Sequence, residues 1–128
     1  MVSKISEGVQ ITVETFYNPD HSSSTTKEYM FAYRILIENQ NDFPIRLISR
    51  HWYITDSNNS KREVKGEGVV GVQPVIHPGQ SYQYVSGCNF RTEIGKMSGV
   101  YQMENLSNNR SFEVKIPAFV MVAPFKNN

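Results

Sequence analysis

Large aromatic and aliphatic side chains recur at every second position along much of this sequence, and residues 29–37 show the pattern best. The set there is Tyr29, Phe31, Tyr33, Ile35 and Ile37. Because successive side chains of a β-strand point to opposite faces, this spacing predicts a strand with one large apolar face. Shorter runs with the same period begin at Val9, Tyr101 and Phe112. Most of their members are β-branched or aromatic, as a pleated and half-buried surface favours.

Short polar segments rich in Asn, Asp, Ser, Pro and Gly separate these runs. They lie at residues 18–20, 39–42, 56–59, 77–79 and 107–109. Short strands separated by turns of this kind predict an antiparallel β-sandwich or barrel. No window of about 11 residues or more carries the apolar period of a helix. Since parallel strands need long crossover connections, which are usually helices, the sequence predicts an all-β fold.

Two further apolar runs carry specific expectations. In residues 45–55, Ile48, Trp52 and Ile54 share one parity and are expected on one face of a strand. The run 117–125 is apolar at both parities, which is typical of a strand covered on both faces. One cover is the core, and the other is a neighbouring loop or a partner subunit. An apolar edge left open would be an aggregation liability, so this run suggests association through the terminal strand.

The size and charge of the chain exclude several classes of protein. Its 128 residues and 14.7 kDa predict a single domain over residues 1–128. Thirteen Lys and Arg against twelve Asp and Glu leave a net charge of +1. The chain therefore lacks the basic surplus with which proteins attract nucleic acids or anionic membranes. It shows no signal peptide and no apolar run of about 20 residues. The single Cys88 excludes an internal disulfide and is expected to be a free thiol in a cytoplasmic protein.

The residue types that catalysis and metal binding require form no recognisable pattern. His21, His51 and His77 lie 30 and 26 positions apart, whereas structural zinc sites usually contain close Cys/His pairs. A metal site would require His51, His77 and Cys88 to meet in space, and a nucleophile would require a Cys88–His pair. No signature supports either, and none supports a serine triad or paired catalytic carboxylates. The sequence predicts a non-enzymatic protein without a metal or a cofactor.

Residues 66–79 form the most unusual segment of the chain. They contain four of its eight glycines and two of its six prolines, and Glu67 is the only charged side chain from Gly66 to Phe90. The first six residues match the pattern G-x-G-x-x-G. In dinucleotide-binding folds such glycines bring backbone N–H groups to a pyrophosphate at a helix N-terminus.

No helix is expected after this motif, because Val69, Val70 and Val72 are poor helix formers and Pro74 would interrupt the first turns. That context excludes a dinucleotide-binding fold. Two interpretations stay open. An anion nest without a helix could use the loop glycines together with three basic residues just upstream, Lys61, Arg62 and Lys65. An irregular strand whose glycines permit close backbone approach is the simpler interpretation, and the residues favour it.

The same segment lies within a series of motifs that resembles the ApaG family. The matching stretches are residues 31–33, 35–39, 50–54, 66–74, 78–79, 84–87, 97–101 and 112–119. Together they span nearly the whole chain in order, so the resemblance is specific. Two turns depart from it, since Asn58-Asn59 and Asn108-Asn109 stand where a glycine is expected. Asn tolerates positive φ, so both turns are expected to form.

The resemblance implies a fibronectin type III or immunoglobulin-like β-sandwich. It also implies a bacterial protein of poorly defined role, named from a genetic neighbourhood shared with a diadenosine tetraphosphate hydrolase. Similar domains in eukaryotic F-box and polymerase-interacting proteins resemble protein-interaction modules. The family has no established catalytic residues. Its glycine motif has been discussed as a nucleotide or pyrophosphate site, which here corresponds to Gly66, Gly68 and Gly71.

Two functions follow as expectations. The first is a binding or protein-interaction module, monomeric or weakly homodimeric, with residues 66–79 as its recognition element and another protein as its partner. The alternative is a nucleotide- or pyrophosphate-binding protein, or an accessory factor in diadenosine polyphosphate metabolism. Its candidate ligand-binding residues are Gly66, Gly68, Gly71, Lys61, Arg62 and Lys65. Neither function requires a nucleic acid, a membrane or a cofactor.

Overall fold

The computed structural model describes residues 1–124, which form nine β-strands. Their bounds are β1 (Val2–Ser6), β2 (Val9–Ser23), β3 (Glu28–Asn39), β4 (Ile45–Asp56), β5 (Lys61–Glu67), β6 (Val75–Ile76), β7 (Ser81–Phe90), β8 (Ile94–Asn105) and β9 (Arg110–Val122). Every pair of neighbouring strands is antiparallel. Residues 1–124 contain no helix with the length and apolar character needed to cross a membrane.

The strands form two sheets that pack face to face. One sheet has the order β1-β2-β3-β7, and the other has the order β5-β4-β8-β9 with the short β6 paired to β4. This arrangement confirms the antiparallel β-sandwich of the fibronectin type III or immunoglobulin-like class that the sequence predicts. The two Asn turns also form, since Asn59 and Asn109 adopt φ angles of 69° and 59°.

The core lies between the sheets and follows the period of two. The alternating set of β3, from Tyr29 to Ile37, is buried, and so are Val9, Ile11 and Val13 of β2. The opposing sheet contributes Trp52, Ile54, Met97, Tyr101, Met103, Val114, Ile116, Phe119 and Met121. Because one face of each sheet is apolar, the two faces exclude water only by packing on each other.

A β-bulge in β4 alters one detail that the sequence predicts. The register with β8 shifts between Leu47 and Ser49, so the strand changes parity there. As a result Leu47 is fully buried, while Ile48, which was expected on the same face as Trp52, is only partly buried. A bulge places an extra residue on one strand, which a simple count of every second position cannot detect.

The outer face of β9 is apolar and open. Phe119 and Met121 point into the core, whereas Val120 and Val122 point outward, and Val120 is 56% exposed. Within residues 1–124 no loop covers this face, which contradicts the loop alternative. Association through the strand stays a prediction, and Phe125 of the predicted run lies outside the described residues.

The two long sides of the sandwich differ. On one side β1 lies against β9, and the Lys115 N–H donates a hydrogen bond to Ser6 Oγ at 2.9 Å. On the other side β5 and β7 are the edge strands of the two sheets. The Arg62 guanidinium bridges them, because it donates to the Asn89 carbonyl and lies 5.9 Å from the centroid of the Phe90 ring. Next to Arg62, the gap between the edge strands β5 and β7 leads into the space between the two sheets.

A buried amide holds the end of β3, and its removal is expected to destabilise the fold. Asn39 is 1% exposed, and its Nδ2 donates to the carbonyls of Phe43 at 2.9 Å and Ile76 at 3.0 Å. Asn39→Ala leaves both carbonyls without this donor and should lower the free energy of unfolding by about 2–4 kcal/mol, as measured by urea denaturation. The control Gln40→Ala, at an exposed position, should change it by about 0.5 kcal/mol or less. Equal urea midpoints for the two variants would contradict this role.

Candidate functional site

A small cleft opens between the sheets on the side of β5 and β7, which we call the inter-sheet cleft. Its volume is about 210 Å³. One sheet lines it with Tyr33, Tyr84, Val85 and Ser86, the other lines it with Arg50 and Trp52, and the loop after β5 adds Val69 and Val70. The cleft therefore combines aromatic walls, hydroxyl groups and one cation beside the glycine-rich segment.

Arg50 reaches the cleft because of its position on β4. It is in register with Gly66 on β5 and with the buried Tyr101 on β8, so it points to the inner side of its sheet. Its Nη1 donates to the carbonyls of Glu67 at 2.9 Å and Gly68 at 2.8 Å. A Cβ atom on Gly66 would lie 2.7 Å from the guanidinium, so glycine at this position leaves the space that Arg50 fills.

The loop that follows is a tight turn in the left-handed region. Val69 and Val72 exchange two backbone hydrogen bonds, of 2.8 and 3.1 Å, and Val70 and Gly71 between them have φ angles of 46° and 80°. These are the features of a type I′ turn. Gly68, with φ 57°, precedes it, and a Cβ atom there would lie 2.0 Å from the Val72 carbonyl oxygen. The close approach of backbone to backbone thus requires glycine at 68.

Val70 is the strained residue of this loop. A β-branched residue at positive φ is an outlier, and the left-handed region costs an L-residue about 1–2 kcal/mol. The side chain makes no compensating burial, since it is 63% exposed at the mouth of the inter-sheet cleft. Strain of this kind is concentrated at functional sites, which makes Val70 a candidate functional residue.

The predicted anion nest has several of its donors already in use. The Gly68 N–H donates to the Ile48 carbonyl at 2.8 Å, where the bulge of β4 leaves that oxygen free for the loop. The N–H groups of Val69 and Val72 donate to each other's carbonyls. An anion at this loop would have to use the remaining N–H groups. Gly66 and Gly68 are required by close contacts with Arg50 and with the Val72 carbonyl. This agrees with the interpretation of the segment as an irregular strand whose glycines permit close backbone approach.

The three basic residues proposed for that nest do not converge. Lys61 and Lys65 are in register with Thr55 and His51 on β4 and lie on the outer face of the sheet. Arg62 has the opposite parity, and its guanidinium contacts Asn89 and Cys88 on β7. Lys61 and Arg62 still border one small cleft at the start of β5, together with Asp56 and Arg91, but Lys65 and the loop glycines do not line it.

A wider groove of about 440 Å³ lies on the outer face of β4, β5 and β8. His51 borders it, accepts or donates a 2.8 Å hydrogen bond with Glu63, and stacks on Tyr53 with 4.4 Å between ring centroids. In residues 1–124 no three His, Cys, Asp or Glu side chains lie close enough to hold a metal ion. His51 faces outward while Cys88 is buried between the sheets, so the structure does not bring the two together.

Neutral hydroxyl groups form the inner wall of the inter-sheet cleft. The hydroxyls of Tyr84 and Tyr101 are 2.5 Å apart and hydrogen-bonded. Burial raises the pKa of Tyr33, Tyr84 and Tyr101 above that of a free tyrosine. These groups stay uncharged at neutral pH. Tyr33 and Tyr84 line the cleft without adding charge, whereas Tyr101 is fully buried and does not border it.

Arg50 lies in the site although the sequence pattern alone did not predict it there. The signal was present, because Arg50 shares the parity of Trp52 and so places a cation on the apolar face of a strand. Tyr33 was expected on the apolar face of β3, and it is a buried residue that also lines the cleft. Arg50 lies next to the glycine-rich loop only because β4 pairs with β5, and this pairing cannot be inferred from either strand alone.

Alanine substitutions at Gly68 and Gly71 should distinguish the cost of a steric clash from the cost of positive φ alone. Gly68→Ala should lower the free energy of unfolding by more than about 2 kcal/mol, because its methyl group meets the Val72 carbonyl at a positive φ. Gly71 also has positive φ but has open space around it, so Gly71→Ala should cost only about 1 kcal/mol. Urea denaturation measures both. An equal loss in the two variants would show that the contact at Gly68 is not limiting.

Cys88 should behave as an unreactive thiol. Burial raises its pKa to about 11, and the neighbouring Arg62 opposes this only in part. At pH 8 the thiolate fraction should then be on the order of 100-fold below that of a free cysteine. We expect iodoacetamide to alkylate Cys88 at least about 100-fold faster in urea-unfolded protein than in folded protein. Similar rates in the two states would instead indicate an activated thiol.

Comparison with known proteins gives one consistent result. A family model described as the ApaG domain matches residues 19–105. Protein ApaG of Brucella canis is 44% identical over 124 residues, which cover 97% of this chain and 95% of that protein. Protein ApaG of Dechloromonas aromatica is 48% identical over 106 residues, or 83% of each chain. The crystal structure of the putative ApaA protein from Bordetella pertussis has a TM-score of 0.87 at 40% identity and covers 91% of this chain and 94% of that one. These matches confirm the resemblance seen in the motifs, and the chain belongs to the ApaG domain family.

Proposed function

We propose that this protein is a cytoplasmic, non-enzymatic interaction module that binds an extended segment of another protein across the mouth of the inter-sheet cleft. The observation that carries this proposal is Val70, an exposed valine held in a strained conformation beside the cleft. A glycine there would relieve the strain, so the side chain itself is the feature that a partner would use. Residues 66–79 supply one rim of the surface, as the sequence predicts.

Exposed valines from both sheets lie at or near the cleft. Val70 of the turn and Val85 of β7 line it and are 63% and 52% exposed. Val72 at the end of the turn and Val64, in register with Trp52, are exposed as well. Exposed apolar side chains grouped in this way indicate a binding surface, whereas single ones do not. From Gly66 to Phe90 Glu67 is the only charged side chain, so charge repels little from this surface.

The backbone around the cleft suits an extended partner. β5 and β7 are the edge strands of their sheets, so each presents unpaired N–H and C=O groups along its outer edge. A partner segment can add to such an edge as a further strand, with pockets for alternate side chains providing specificity. The inter-sheet cleft is one such pocket.

Nucleotide or pyrophosphate binding has less support from the geometry. The N–H groups of Gly68, Val69 and Val72 already have backbone partners. Lys61 and Lys65 lie on the opposite face of β5 from Arg62, and the small cleft that Lys61 shares with Arg62 contains none of the loop glycines. Titration with pyrophosphate, ATP and diadenosine tetraphosphate, with and without Mg²⁺, tests this alternative. NMR shifts confined to residues 61–71 at millimolar ligand would favour it over the peptide-binding proposal.

Val70→Gly should stabilise the protein and impair binding at the same time. We expect the free energy of unfolding to rise by about 0.5–1 kcal/mol through relief of strain. Affinity for heptapeptides selected on the wild-type protein from a random displayed library should fall about fivefold or more. Urea denaturation and fluorescence anisotropy with the selected peptides measure the two effects.

The matched control is Val120→Gly, which removes a valine of similar exposure, 56% against 63% for Val70, from the outer face of β9. It should lower stability by about 1 kcal/mol, because glycine weakens a strand, and leave peptide affinity unchanged. Unchanged affinity in Val70→Gly would contradict the role of Val70. A library that yields no binding peptide would contradict the proposed function itself.

A further inference from the structure

We infer that Arg50 is a carboxylate-binding residue, and that the partner segment inserts an acidic side chain into the inter-sheet cleft. This inference rests on the proposed function and specifies the chemistry of the partner. It also gives the glycine motif a different purpose. Gly66 and Gly68 seat a guanidinium and do not cradle a phosphate.

The hydrogen bonds of Arg50 leave three of its five N–H donors for a ligand. A guanidinium has five N–H donors arranged in a planar fork. The two on Nη1 donate to the carbonyls of Glu67 and Gly68. Nε and Nη2 make no hydrogen bond to any of the residues that the structure describes, and these two nitrogens form the side of the fork that binds a carboxylate with two parallel bonds.

The charge of Arg50 is also uncompensated. No carboxylate oxygen of the described chain lies within 4.0 Å of its nitrogens, whereas Arg34 pairs with Glu14 at 2.9 Å. Arg50 is partly buried, and a cation removed from water is costly unless an anion accompanies it. The surrounding Tyr33, Tyr84 and Ser86 supply hydroxyl groups but no negative charge.

The fixed position of the guanidinium supports a binding role. Gly66 leaves the space under it, and two backbone carbonyls hold Nη1 in place, so little rotamer entropy is lost when a ligand arrives. Arginine held as a planar fork favours carboxylates through bidentate geometry.

The size and polarity of the cleft favour a carboxylate over a phosphate ester. About 210 Å³ between aromatic walls accommodates one side chain of a peptide. The cleft offers a single cation, since Lys61 and Lys65 face the other side of the sheet. A singly charged carboxylate on an apolar stem matches one guanidinium and the Trp52 and Tyr33 walls.

The test compares matched peptides on matched variants. Heptapeptides selected on the wild-type protein should be enriched in Asp or Glu among apolar, β-branched neighbours. In a selected synthetic peptide, replacement of its Glu by Gln should weaken binding about tenfold or more. Trp52 is the only tryptophan of the chain and lines the cleft, so its fluorescence reports binding directly. In Arg50→Gln the Glu and Gln peptides should bind equally.

Lys61→Gln is the charge-matched control, because it removes one positive charge on the outer face of β5 and should keep the tenfold preference. If Arg50→Gln does not fold, Arg50→Lys keeps the charge without the fork and should retain only part of the preference. The Glu-to-Gln comparison on the wild-type protein needs no variant at all.

Each remaining outcome decides the matter. Peptides that bind without an acidic residue, or an acid preference that persists in Arg50→Gln, would overturn the carboxylate site while leaving the proposed function intact. Failure of all peptides to bind would contradict both the carboxylate site and the proposed function. A shift of the Arg50 Nε–H NMR signal caused by inorganic pyrophosphate, with none caused by the acidic peptide, would assign the site to phosphate ligands and contradict the inference.

Discussion

The contact between the two sheets at Trp52 is the interaction on which the rest of the molecule depends. Its ring packs against Tyr33 of the facing sheet at 5.5 Å between centroids, and against Phe119 and Tyr101 of its own sheet at 5.9 and 6.5 Å. Edge-to-face packing of aromatic rings adds to the burial of their area. Because these rings are large and rigid, they fix the separation of the sheets, and that separation determines the width of the inter-sheet cleft.

The same packing explains why the cleft contains a cation. Arg50 follows the parity of Trp52 and would enter the core if the sandwich were closed on that side. It ends instead at the open side between β5 and β7, where the loop carbonyls of Glu67 and Gly68 accept its Nη1 donors. The glycine-rich segment, the bulge in β4 and Arg50 therefore form one unit. The Ile48 carbonyl at the bulge accepts from Gly68, and Gly66 makes room for the guanidinium.

Much of the fold could be predicted because the period of two depends only on neighbours in the chain. The buried set from Tyr29 to Ile37 and the positive φ of Asn59 and Asn109 were all expected from local residue types. The ordered motifs likewise indicated the family. Ile48 shows the limit of such reasoning, since a bulge arises from the register between two strands and leaves no mark on one strand alone. Val70 shows it again, because no local preference predicts a valine at positive φ.

The candidate site likewise has features that depend on local sequence and features that depend on strand pairing. The sequence by itself determined the β-sandwich, the turn positions and the irregular, glycine-rich character of residues 66–79, because alternation, turn propensity and glycine content are local properties of the chain. Only the tertiary structure decided that Gly66 and the Gly68 carbonyl contact Arg50, that Arg62 lies on the opposite face of β5 from Lys61 and Lys65, and that valines from β7 and the turn line one cleft. These relations join residues far apart in sequence, and strand pairing together with the burial of two apolar faces sets their distances.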